Sequence, residues 1–412
     1  EVKFKGNVDF LSGSVAMHGK KASLCGANPL TNPQEMKINS NGTTFDALEF
    51  NSAAVRIEES TGWLKATDFV VTSGVVAVNA PVEAQTITHP SAGPLTFTKK
   101  VKVFTSFSDD STSGALSFQG GAEFTFTSLA ELKTTQMVTL TGACSFAGGM
   151  KRSGGATTLG GMISAPDKDI AFSDAAATIT LSAPSTVKSG KGDIQFDGQI
   201  TTGAHELTVE TTPYEITSSV SRDLLPQPAF NRGFAGDAKL LLKGNGIING
   251  SNTFASFRVD NSHAHVDTTV TFEAGKLQTI KNAFGVGDID FKGTSDNRLL
   301  LQSSARTGTD SDRWEVHFPN RPQEDGRNFS FVSIIHARAV NSAGADDELK
   351  IKQSLAHALD DDYAHPSHTV FIGEAAPPCD YVWRGTHSNR WNDSANWLDA
   401  DGNTLNSPPR TD

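Results

Sequence analysis

The chain has 412 residues, with 35 Lys and Arg against 46 Asp and Glu, and so a formal net charge of −11. An acidic chain without a basic patch lacks the electrostatic footing that nucleic acids and anionic membrane surfaces require. No apolar run approaches the ~18 residues of a membrane span, and Cys25, Cys144 and Cys379 lie too far apart for a CxxC zinc or redox motif.

From residue 2 to about residue 212 the text consists of short strands separated by Gly, Asn, Ser and Asp. Segments 53–57, 69–71, 75–78, 95–98, 122–126 and 137–140 are strand-sized, and helical periodicity is nearly absent. One pentapeptide recurs: apolar, any, Phe, any, Gly, with copies at 2–6, 116–120, 144–148, 194–198 and 289–293. The copies begin 114, 28, 50 and 95 residues apart, intervals that read as near multiples of about 24 residues, the size of one β-solenoid coil.

Physically, the two apolar side chains of the pentapeptide lie on one face of a strand and the Gly permits a sharp turn. Phe4, Phe118, Phe146, Ile194, Phe196, Ile289 and Phe291 are therefore predicted to point inward, with Gln195 and Asp290 outward. The aromatic set fits this reading, with 25 Phe against 3 Tyr. Phe stacked on Phe in a dry column needs no partner, whereas a Tyr hydroxyl would. Cys144 takes an inward position and reads as a small buried hydrophobe.

Segments 193–196 and 203–209 read as a pair of strands in one coil. Gly-Asp-Ile-x-Phe-x-Gly followed by Gly-Ala-x-x-Leu-Thr-Val resembles the repeats of filamentous-haemagglutinin-like and autotransporter-like bacterial surface proteins. The resemblance implies an all-β, right-handed parallel β-helix, secretion, and an extracellular or cell-surface location. It covers residues 190–412 best and the first half in style.

The chain divides into a β-solenoid at 1–212, an insertion loop or offset at 213–236, a solenoid continuation at 237–376 and a Trp-rich cap or inter-module joint at 377–412. Within 213–236, Pro226 and Pro228 break the strand pattern, and Phe230 and Phe234 flank Arg232. In the last segment, Trp383, Trp391 and Trp397 are similar to the Trp-x-Gly…Trp…Asn-Trp text that precedes a new solenoid unit in secreted repeat proteins. The three indoles read as a plug over an open coil, a joint between modules, or a platform for sugar rings.

Asp346, Asp347 and Glu348, with Asp360, Asp361 and Asp362, flank residues 349–359, the one stretch of helical character. They read as a solvated acidic turn, with calcium at Asp346, Asp347, Asp360 and Asp361 as the alternative. His263 and His265 alternate along a strand, and His357, His365 and His368 follow later; surface or packing roles compete there with a metal site. No Gly-x-Ser-x-Gly element and no paired carboxylates on matching positions appear, so no catalytic set is named.

The expected function is a non-catalytic structural solenoid segment, acting as a rigid spacer or a self-assembling fibre or sheath module. An adhesin for glycans or a host surface is the alternative, and a polysaccharide lyase or hydrolase the second. The expected partners are copies of itself, neighbouring modules of one polypeptide, or glycans, with no nucleic acid and no membrane insertion.

Overall fold

The computed structural model describes residues 44–58, 62–90, 93–112, 114–119, 123–211, 227–261, 266–283, 290–294, 297–305, 310–321 and 329–347. It also describes strand segments at 2–4, 8–9, 16–24 and 36–39, and residues 381–383 and 394–399. All the strands before residue 381 belong to one sheet in which every pairing is parallel. The sheet winds on itself as a β-solenoid with three strands per coil.

One coil shows the plan. Leu116–Phe118 lies on a first face, Glu123–Phe126 on a second and Ala130–Leu132 on a third. Val138–Leu140 then returns to the first face, pairing residue for residue with Leu116–Phe118. Successive partners on that face are Leu95, Leu116, Val138, Thr157, Ile179 and Ile200, so a coil takes 19 to 22 residues there. Longer coils keep register on both sides of the extra chain: Phe196 pairs with Phe230 and Phe291 with Phe329.

Most three-residue strands place their first and third side chains inside and the middle one outside, the alternation a pleated strand imposes, while Gln199–Thr201 is framed one residue over and buries only Ile200. The inward positions carry Phe, Leu, Ile and Val, and these fuse into one continuous core along the axis. Phe97 stacks on Phe118 at 5.5 Å, Phe126 on Phe146 at 4.7 Å, and Phe172, Phe196 and Phe230 follow one another at 5.2 Å. Phe291 continues onto Phe329 at 4.8 Å. The expected Phe column is present, and Phe118, Phe146, Ile194, Phe196 and Phe291 are all fully buried in it. Phe4 lies on the strand Val2–Phe4, whose side chains fall outside the described residues, as does Ile289.

Five readings are corrected. The pentapeptide copies do not mark one position per coil: Leu116–Phe118 is on the first face, Ala143–Phe146 and Phe291–Lys292 are on the second, and Ile194–Phe196 is on the third. The motif is a strand unit, so the intervals between copies do not measure the coil. Segments 193–196 and 203–209 are separated by a third strand, Gln199–Thr201, on the first face. Segments 69–71 and 75–78 belong to one strand, Leu64–Val78, which bends across all three faces.

The fourth concerns Asp290, which is buried while Gln195 is exposed. Its carbonyl accepts from the Val259 amide at 2.8 Å, which seats the residue flush against the preceding coil. The motif glycine also has a different reason from the one expected. Gly148 and Gly198 have no positive φ, yet a Cβ would stand 2.0 Å from the Ser128 backbone at Gly148 and 2.5 Å from the Ala177 carbonyl oxygen at Gly198. Close approach of neighbouring coils, and not left-handed backbone, requires glycine at these two sites.

Candidate functional site

A buried polar cluster interrupts the core on the third face. The inward file there runs His89, Asp109, Leu132, Arg152, Phe172 and Phe196 on successive coils. Each polar member fills the third position of the same frame that elsewhere holds an apolar residue: Ile87-Thr88-His89, Phe107-Ser108-Asp109 and Met150-Lys151-Arg152. Sequence reasoning passed over them because polarity alone assigns them to solvent. The period-two frame, once anchored on the neighbouring Ile87, Phe107 and Met150, is the signal that finds them.

His89 and Asp109 are both inaccessible to solvent. His89 Nδ1 is 2.9 Å from Asp109 Oδ1, and Nε2 is 2.7 Å from the Gly93 carbonyl oxygen. A carbonyl only accepts, so Nε2 carries a proton, and Nδ1 and Oδ1 share the second. The Ser111 amide also donates to Oδ1, at 3.4 Å. The Ser111 and Thr134 hydroxyls both donate to the Gly114 carbonyl, at 3.0 and 2.8 Å. Asp109 Oδ2 is buried with no hydrogen-bond partner among the described residues.

Arg152 closes the cluster from the following coils. Its Nη1 donates to the carbonyls of Leu132 and Thr134 at 3.2 and 2.5 Å, and its Nη2 donates to Gln136 at 2.8 Å. Burial lowers its pKa to about 10, against the pull of the Asp109 and Asp174 carboxylates, so it remains charged at neutral pH. The cation is held by backbone carbonyls, and its charge offsets that of Asp109 through space.

A glycine ladder makes this corner. Gly74, Gly93 and Gly114 stack on consecutive coils, and a Cβ on Gly93 would stand 1.8 Å from the Gly74 carbonyl oxygen. That close approach sets the Gly93 carbonyl at the edge of the His89 ring, 2.7 Å from Nε2. Chemically the arrangement is a clamp. A general base needs a free ring nitrogen within reach of a substrate, whereas both nitrogens of His89 are engaged in a dry interior.

The second face carries a different electrostatic pattern. Its central outward file includes Lys65, Glu83 and Lys102, then Thr125, Ser145 and Ser164, then Lys188, Glu210 and Lys243. Signs alternate within each charged run, so every charge is flanked by its opposite. Lys188 Nζ is 2.5 Å from Glu210 Oε1, and Lys243 Nζ is 3.9 Å from Oε2. At these half-exposed sites such pairs set register more than they add stability.

Of the residues singled out from sequence, Cys144 is buried and its thiol is pushed up to about 12 by desolvation. It is a packing residue and not a nucleophile. Asp346 Oδ1 accepts from Arg338 Nε at 2.6 Å, and Asp347 accepts from Arg321 Nη2 at 2.7 Å. Asp360, Asp361, Glu348 and Asp362 lie outside the described residues, as do His263, His265, His357, His365 and His368. Among the described residues no group of three His, Cys, Asp or Glu gathers around one point.

The Trp-rich segment forms a separate two-stranded antiparallel sheet, Tyr381–Trp383 with Trp397–Asp399, in which Trp383 stands opposite Trp397. Trp397 is buried, and Trp391 falls outside the described residues. Phe230 and Phe234, from the segment read as an insertion or offset, are buried and in contact at 5.2 Å.

The fold and the clamp together define the class: an all-β parallel solenoid with a continuous apolar core that holds a few buried polar rungs. No family model matches the chain, and neither a curated protein nor a solved structure shows significant similarity to it.

Proposed function

We propose that the chain is a non-catalytic, rigid spacer segment of a larger extracellular bacterial surface protein. The observation that carries this reading is the stack of parallel pairings on three faces, interrupted by local register shifts, around one filled core. Backbone hydrogen bonds run along the axis on every face, so stretching the rod must break bonds on three sides together. Each added coil lengthens it by about 4.8 Å without altering its cross-section. The buried His89–Asp109 clamp fits the same role, since it ties two coils together and offers nothing to a substrate.

A second reading, in which modules join end to end, rests on the Trp383 and Trp397 pair in its own small sheet. Solution scattering over a concentration series, together with imaging, separates the two. A rod whose length is independent of concentration supports the spacer, and growth in length with concentration supports a self-assembling module. A compact particle of low axial ratio, or turnover of a polysaccharide panel by the purified chain, would remove both.

A further inference from the structure

The first face differs from the other two in a way the spacer reading does not use. Its central outward file is Thr96, Ser117, Thr139, Thr158, Thr180 and Thr201, one residue per coil on six consecutive coils. Positions two residues before and after each of these complete eighteen sites, and none is Asp, Glu, Lys or Arg. With charged residues making up 20% of the chain, three or four would be expected there. The charges lie elsewhere: Lys102, Lys188 and Glu210 on the second face, Glu131 and Lys151 on the third.

The spacing of the hydroxyls is set by the backbone. Along the axis they repeat at the inter-strand distance, about 4.8 Å. Across it, Thr98, Thr141 and Ser182 stand two residues beyond Thr96, Thr139 and Thr180, about 6.7 Å along the strand. Threonine suits a fixed lattice because its β-branched side chain is stiff at χ1. Thr98, Thr141 and Ser182 are held further by donating to carbonyls of the preceding coil, Val78, Phe118 and Leu159.

We propose that this strip is an ice-binding face, its ligand being the ordered water lattice of crystalline ice. The hydroxyls form a fixed array, on every coil along the axis and on alternate coils across it through Thr98, Thr141 and Ser182, and a regular array of this kind suits an ordered water lattice. An ammonium or carboxylate would keep its own hydration shell and break the match, which accounts for the absence of charge. A glycan chain is the less suited occupant, because none of the eighteen positions offers an aromatic face for a sugar ring. A second copy is also less suited, since the strip has no bulky apolar centre beyond the exposed Met137.

The test is partitioning of the chain between liquid and a slowly growing ice front, with cellulose pull-down in parallel and circular dichroism to verify folding. The chain should enter the ice, and Thr139→Lys, in mid-strip, should lower its enrichment about ten-fold, while Ala171→Lys on the third face should leave it unchanged. Exclusion of the wild-type chain from ice would overturn the proposal, as would equal incorporation of both variants. Binding to cellulose but not ice, abolished by Thr139→Lys, would overturn it in favour of a glycan surface.

Discussion

Asp109→Ala is expected to lower the unfolding free energy of the solenoid by about 3–5 kcal/mol, the usual effect of removing one partner of a buried ionic pair. The substitution leaves His89 Nδ1 facing a dry cavity while Nε2 remains bound to Gly93, and it removes the anion that offsets Arg152. The double replacement His89→Leu with Asp109→Leu should behave differently. Apolar side chains of similar size continue the packing of the neighbouring Phe107 and Leu132, so it should recover most of the loss, short of the part that comes from Arg152 losing its counter-charge. Urea unfolding of the three proteins checks this. A wild-type midpoint for Asp109→Ala, or a double variant as unstable as the single, would contradict the clamp.

Gly93→Ala should be at least as damaging, for a steric and not an electrostatic reason. Its Cβ would stand 1.8 Å from the Gly74 carbonyl oxygen, an atom of a neighbouring coil that cannot rotate away. Relief requires the corner to open, separating the ladders on both sides and withdrawing the carbonyl from His89. An overpacked backbone contact of this kind costs about 3 kcal/mol or more. Gly203→Ala provides the comparison, since Gly203 has a φ of +59° but nothing within 4 Å of the added atom; only conformational strain of about 1 kcal/mol applies there. Because coils contact only their neighbours, hydrogen exchange should locate the Gly93→Ala damage at residues 62–119 and leave the coils beyond residue 138 protected.

The inward Phe frame was legible in the sequence because a dry column selects Phe over Tyr and a strand alternates with period two. Phe118, Phe146, Phe196 and Phe291 were placed by that argument alone. The number of strands per coil was not legible, because a three-residue strand has the same text on any face. Leu116–Phe118 and Ile194–Phe196 are indistinguishable until their partners are known. His89, Asp109 and Arg152 were missed because their polarity outweighed their position in the frame, whereas Asp290 was misplaced by the frame itself, whose middle position reads as outward. The charge-free threonine strip emerges only after register aligns residues 19 to 22 apart, a spacing too irregular to see along the chain.

Spin-label distances along single files test the three-strand coil most directly. Labels at Thr96 and Thr201, five rungs apart on the first face, should lie about 24 Å apart. Labels at Lys102 and Glu210, also five rungs apart but on the second face, should give the same value. Equal distances from pairs separated by 105 and 108 residues (201 − 96 and 210 − 102) are the signature of a coil that advances one strand spacing per turn on each face. Distances that differ between the two faces, or that exceed the five-rung value by more than the label's own length, would contradict the solenoid.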